Sequence, residues 1–497
     1  MSRSAVSKIA WMGKARTLAF WFLALLVAAS IGGLLGVKPA GAAEFRVNST
    51  ADAADALLGD GQCSTEVLPV GTRGICTLRA AIEEANANDA SVSDTITFSS
   101  GLSGTITLTQ GELAIANDNT TGPDLTIEGP EGSGLTVNAN NSSRVFLVGS
   151  DADVAIDRLT ITGGRAEGST PDNIQSQGGG ILSFGNLTFT NSTVSGNTAT
   201  NASGGIYNVF GALTITNSTV SANTSSNKGG GILSYGTLML THSTVSANTS
   251  TNGSGGGIYN AGTARLTNTI VARNRATADP DVGGMAFDSE GNNLIGNTGG
   301  STGWSASDLL NQQKPLLGPL QNNGGPTNTL ALWPGSPAID AADNDRCPAV
   351  DQRGITRKDG DGDRTVICDI GAYERSDLSS PKVSSTTPPS GATGVKRGAD
   401  LTAAFSEKMT RTTLNKSTFK LFKVNSNGST TQITNMTVSS STDGLKVTLN
   451  PSNLLAANTK YKVVVSTQAR DLAGNQLDQS PTKAGKQQKA WTFKTGG

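Results

Sequence analysis

The sequence predicts an all-β chain in which a parallel β-helix of about 26-residue rungs precedes a separate β-sandwich. Three observations lead there. Tandem segments in the middle of the chain repeat at a nearly fixed period. Within each segment, apolar and small polar residues alternate with period two, as strands require. Past a Pro- and Ser-rich stretch, "SSPKVSSTTPPSGATGV", the repeat stops and longer alternating runs begin.

The repeat is clearest in "GGGILSFGNLTFTNSTVSGN" from Gly178, "SGGIYNVFGALTITNSTVSAN" from Ser203, "GGGILSYGTLMLTHSTVSAN" from Gly229 and "GGGIYNAGTARLTNTIVARN" from Gly255. Ile181, Ile206, Ile232 and Ile258 are spaced 25, 26 and 26 positions apart. Asn197, Asn223, Asn248 and Asn274 are spaced 26, 25 and 26. The rungs also alternate ("ILSFG", "IYNVF", "ILSYG", "IYNAG"), which implies duplication of a two-rung unit. A period in this range marks a solenoid. Glycine at this density opposes helix, and no helical period fits. Rungs stacked about 4.8 Å apart turn Ile, Val and Leu inward and place like residues over like. Asn197, Asn223, Asn248 and Asn274 are then expected to form a ladder of side-chain amides.

Composition sets limits on the rest. The 497 residues carry a net charge of -1, which offers nucleic acid no electrostatic footing. Charged residues make up 15%, against roughly 25% in ordinary domains. The strict patterning of the apolar 36% argues against disorder. Arg3, Lys8, Lys14 and Arg16 precede an uncharged apolar run, Thr17 to Val37, and Ala40-x-Ala42 offers a cleavage site. That is an export signal, with an uncleaved anchor as the alternative because the run is long. No second stretch could span a bilayer. Four cysteines fall in two close pairs, and local pairing of Cys63 with Cys76 and of Cys347 with Cys368 is expected. Metal-bound thiols are the competing reading, weakened by the lack of a CxxC spacing and by His242 being the only histidine.

The "GGGI/SGGI" and "VSGN/VSAN" pieces resemble the GGAI and FxxN repeats of polymorphic outer-membrane proteins, with Val194, Val220 and Val245 in place of Phe. The resemblance implies a right-handed parallel β-helix. "CTLRAAIEEANAN" from Cys76 resembles the CSLREAI motif that opens many secreted β-helix proteins, with Thr77 for Ser and Ala80 for Glu. As a helix it places Leu78, Ile82 and Ala85 on one face and offers an Arg79–Glu83 pair. Such a helix can plug the open end of a solenoid. Weaker strands from "DTITFSS" to "VAIDRLTITGG" supply the first of roughly eight rungs. "PLLGPLQNNGGPTNTLALWPGSPAIDAA…CDIGAYE" resembles the choice-of-anchor domain of secreted bacterial proteins and is expected to close the other end. "PPSGATGV", "FSEKM" and "DLAGN" resemble the bacterial Ig-like domain of S-layer and other surface proteins. Its expected core is Phe405, Leu421, Leu449, Tyr461, Val463, Val465, Trp491 and Phe493. The resulting organisation is an export segment at 1–43, a cap at 44–93, the β-helix at 94–300, a second cap at 301–376, a linker at 377–385 and an Ig-like β-sandwich at 386–497.

Chemistry is scarce along this chain. Known β-helix enzymes are mostly polysaccharide lyases and hydrolases, which need carboxylates on the wall. Residues 174–278 contain no Asp or Glu. Carboxylates flank that gap, early at Asp118, Asp124, Glu128, Asp151, Asp153 and Asp157, and late at Asp279, Asp281, Asp288 and Glu290. All read as loop residues. His242 aligns with Asn191, Asn217 and Asn268 and reads as a polar substitute. Asp359, Asp361 and Asp363 alternate with Gly and, with Asp369 and Glu374, form a candidate calcium shell, although the EF-hand pattern fails at Arg364 and Ile370; the alternative is a solvated turn held by the disulfide. The expected function is an exported, non-catalytic surface or adhesion protein whose partners are glycans or other surface proteins. The alternative is a carbohydrate-active enzyme with its site on the early rungs.

Overall fold

The computed structural model describes residues 42–69, 71–88, 93–116, 124–132, 134–168, 174–357, 367–375, 380–471 and 474–497. Three long sheets of parallel strands run along the β-helix, and a short fourth lies beside them. The first has nine strands, from Glu44–Val47 through Asp94–Phe98 to Phe287–Gly291. The second has eight, from Gly104–Thr107 to Leu294–Ile295, and the third seven, from Leu113–Ile115 to Val282–Gly284. The fourth has five short strands between Arg165–Ala166 and Arg275–Ala278.

The strand register is the sequence repeat itself. Ile181, Ile206, Ile232 and Ile258 pair in succession up one sheet. Val194, Val220, Val245 and Val271 do so in another. Alternation turns these residues inward, and all are buried in one continuous core. The glycine runs follow from how closely the rungs pass. A Cβ on Gly205 would collide with the carbonyl of Gly231 on the next rung. Gly229 adopts φ +65°, which L side chains rarely take.

The helix Leu78–Ala87 buries Leu78, Ala81, Ile82 and Ala85 in that same core. Thr77 caps it, its side chain accepting from the Ala80 N–H. Arg79 does not rely on Glu83. It reaches Asp52 at 2.7 Å and the carbonyls of Gly111 and Glu112, while Glu83 accepts from the Asp55 N–H. A buried guanidinium needs several acceptors, and one neighbour on its own helix cannot supply them.

At the far end Trp304 stacks on Phe287, and Leu310 packs against the core. The chain beyond does not stay at that end. It doubles back along the wall twice, reaching the early rungs at 327–328, returning to the last rung at 341 and running to earlier rungs again from 343 to 352. Asn292 donates to Ala341 O, Asn268 to Asp343 O, Asn217 to Val350 O, and Thr327 to Asn191 O. The segment resembling the choice-of-anchor domain is therefore a flank as much as a cap.

The C-terminal region is a sandwich of two antiparallel four-stranded sheets. One contains Val383–Thr387, Leu401–Phe405, Met436–Ser440 and Lys446–Pro451. The other contains Phe419–Val424, Thr430–Ile433, Lys460–Val465 and Lys489–Lys494. Phe405, Leu421, Leu449, Tyr461, Val463, Val465, Trp491 and Phe493 all lie in its core. Among the described residues no helix is long and apolar enough to cross a membrane. The export segment falls outside the described residues except for Ala42 and Ala43.

Candidate functional site

Two polar ladders run inside the turns of the β-helix. In the first, each asparagine offers both its backbone N–H and its side-chain amide to the next Oδ1. Asn197 donates to Asn223 at 3.1 and 2.9 Å, Asn223 to Asn248 at 3.0 and 2.9 Å, and Asn248 to Asn274 at 2.9 and 2.9 Å. Each amide also reaches a carbonyl one rung back, as Asn248 Nδ2 does to Val220 O. The ladder ends on Asp281, whose Oδ1 accepts from Asn274 N and Nδ2 at 2.9 and 2.8 Å. The second ladder links backbone N–H groups to the hydroxyls of Ser192, Ser218, Ser243 and Thr269, then to Asn293. It ends on Asp308, which accepts from Asn293 N and Nδ2. The last rung must only accept, and a carboxylate oxygen does only that. Asp281 thus lies in the loop between the strands Arg275–Ala278 and Val282–Gly284, as expected, but it is a bonded part of the fold there. It is buried, and burial pushes its pKa up to about 6 against the hydrogen bonds from Asn274 and Asn297.

The flank docks on a row of corner residues in the left-handed region: Asn191, Asn217, His242, Asn268 and Asn292, with φ between 45° and 55°. Asparagine tolerates that conformation, which explains its recurrence there. Gln352 inserts between corners, donating to Ser192 O and Thr193 Oγ1 and accepting from Thr219 Oγ1. Arg357 bonds Asn217 Oδ1, Glu374 and the carbonyls of Asp369 and Gly371. His242 sits at the same corner but differs from the others. It is fully buried, and neither ring nitrogen has a hydrogen-bond partner. Burial, with Arg357 nearby, holds its pKa well below the usual range, so the imidazole is neutral. It faces Cys347 and Cys368, with one ligand atom from each of the three residues lying within 4.8 Å of the others. Those cysteines are bonded to each other, as are Cys63 and Cys76.

Of the candidate calcium ligands, Asp359, Asp361 and Asp363 lie outside the described residues. Asp369 is fully buried and accepts the N–H groups of Asp340 and Arg375, and burial beside Glu374 raises its pKa.

Seven more of the wall carboxylates have structural partners. Asp124 accepts from Asp153 N, and Ser150 donates to Asp151. Asp157 pairs with Arg158 and accepts from Thr190 and Asn191. Glu128 lies 3.8 Å from Arg158. Asp279 accepts from Ser254, Asp288 pairs with Arg265, and Glu290 with Arg265 and Arg346. Asp118 lies outside the described residues.

A cavity of about 410 Å³ does open on the early rungs, between Glu112, Asn141, Arg144, Arg165, Glu167 and Gln175. None of these residues stands out in the sequence, because they come from three rungs and share no spacing. Arg144 is buried. It pairs with Glu112 and donates to the carbonyls of Ile174 and Gly178. Arg165 pairs with Glu167. Both carboxylates face a guanidinium, so the lining is suited to hydrogen-bonding a polar ligand rather than to transferring a proton.

The comparisons bear on the C-terminal region. Residues 377–495 match the model of the bacterial Ig-like domain. The sandwich at the C-terminus thus has a family match to go with its two-sheet architecture. No curated protein matches the chain. Among solved structures, the S-layer protein rSbsC(31-844) is 20% identical over 24% of this chain and 14% of its own, with a TM-score of 0.18. The methionine-rich copper resistance protein PcoC of Escherichia coli is 17% identical over 24% of this chain and 99% of its own, also with a TM-score of 0.18. The chain thus spans a small part of the S-layer protein.

Proposed function

We propose that this is an exported, non-catalytic surface or adhesion protein. In this reading the β-helix is a rigid stalk, the Ig-like domain is an attached module, and the early-rung cavity binds the hydroxyl groups of a glycan. One observation carries the reading: the polar groups of the wall are spent on the fold. The amides and hydroxyls satisfy one another from rung to rung, and the carboxylates at Asp157, Asp281 and Glu290 bond to the chain's own donors. A catalytic pair needs two carboxyl groups set against a substrate with their protonation states split. Two disulfides suit an oxidising, extracellular setting.

A second reading, a carbohydrate-active enzyme, places its site in the same cavity, whose lining includes the carboxyl groups of Glu112 and Glu167. Glycan-array binding and a degradation screen on pectin, alginate and other acidic glycans separate the two. The expected result is binding without cleavage. Cleavage abolished by Glu167→Gln, with folding intact, overturns the scaffold reading.

A further inference from the structure

We propose that His242, Cys347 and Cys368 form a site for a thiophilic d10 metal ion, opened when the disulfide between the two cysteines is reduced. The argument rests on an imidazole out of place. The corner asparagines at 217, 268 and 292 each bond the returning flank through their side chains. At His242 the row breaks. The ring is fully buried with both nitrogens unbonded, where a buried polar atom ordinarily finds a partner. What it faces instead is sulfur. A ring nitrogen and both Sγ atoms already lie within 4.8 Å of one another, and the Cα atoms of the two cysteines are 6.5 Å apart. Small side-chain rotations bring three such ligands onto one ion, leaving the fourth tetrahedral position to solvent. Two thiolates and an imidazole select zinc or copper(I) over calcium or magnesium.

The chemistry balances with an external dithiol as reductant. The dithiol supplies two electrons and two protons, the bond between Cys347 Sγ and Cys368 Sγ breaks, and the reductant leaves as its own disulfide. Zinc binding then displaces the two thiol protons and gives two thiolates beside a neutral imidazole. Cys347 is only half-buried, which gives the reductant its point of attack.

The test uses the full chain, reduced with a dithiol that is then removed without air, and titrated with Zn²⁺ by calorimetry. The expected result is one equivalent bound by the reduced chain and none by the oxidised one. His242→Asn installs the residue that the other corners carry and so preserves the fold. It should weaken Zn²⁺ binding by at least the roughly 100-fold that marks the upper end of outer-shell changes. Thermal melts run in parallel should show Zn²⁺ raising the Tm of the reduced wild type but not of His242→Asn. Four outcomes overturn the proposal: equal binding by His242→Asn, equal binding by the oxidised chain, no binding by a reduced chain that remains folded, and unfolding on reduction that Zn²⁺ does not reverse.

Discussion

Replacing Asn248 by Ala tests whether the amide ladder holds the rungs together. Asn248 is fully buried, so water cannot take over its bonds. Its Oδ1 is the acceptor for the Asn223 N–H at 3.0 Å, and that donor is left without a partner. Stranding one buried N–H costs about 1–3 kcal/mol. Asn223 Nδ2 keeps Val194 O but loses its second acceptor, and Val220 O loses its amide donor. Two weakened bonds add about 0.5–1.5 kcal/mol each, giving roughly 2–6 kcal/mol in all. Urea unfolding followed by circular dichroism measures the loss, with Asn252→Ala as the exposed control expected within about 0.5 kcal/mol of wild type. A solenoid can unfold in parts, so hydrogen exchange at the Asn223 amide gives a local readout of the same effect. If Asn248→Ala costs under about 1 kcal/mol and leaves exchange at Asn223 unchanged, the ladder is not a source of stability.

Two further expectations follow from the same wall. Asp281 is held at about 6 in the fold against 3.8 for an ordinary aspartate, so its raised value favours the fold fully below 3.8 and ceases to as pH rises through 6. Two units correspond to about 3 kcal/mol, and Asp281→Asn should flatten this part of the stability–pH curve; an unchanged slope would refute the assignment. Ala222 is exposed at φ 56°, at the corner where Gly163 and Gly196 sit on earlier rungs. Relief of about 1–2 kcal/mol of left-handed strain outweighs the roughly 0.4–1 kcal/mol of added chain entropy, so Ala222→Gly should raise the melting temperature slightly. A lowered melting temperature would show that the methyl group is needed.

The family of the sandwich and the course of the solenoid were open to reading, while the neighbours of the flank were not. From rung to rung, each strand of the repeat pairs with its copy one period away. The spacing of Ile181, Ile206, Ile232 and Ile258 is therefore also their pairing register, and the repeat of Asn197, Asn223, Asn248 and Asn274 is also their bonding order. The ends of both ladders escaped the pattern, because Asp281 and Asp308 break the repeat to which they belong. The helix motif showed which face is buried but not that Arg79 would cross to Asp52, 27 positions away. Sequence by itself thus determined the period, the inward face and the alternating strands, since these depend on neighbours of fixed separation. Tertiary structure alone decided that Gln352 meets Ser192 across 160 positions and that the sole histidine faces the second disulfide. Those contacts arise where the chain reverses and runs back along its own wall, and no periodicity in either partner records which stretch will lie against which.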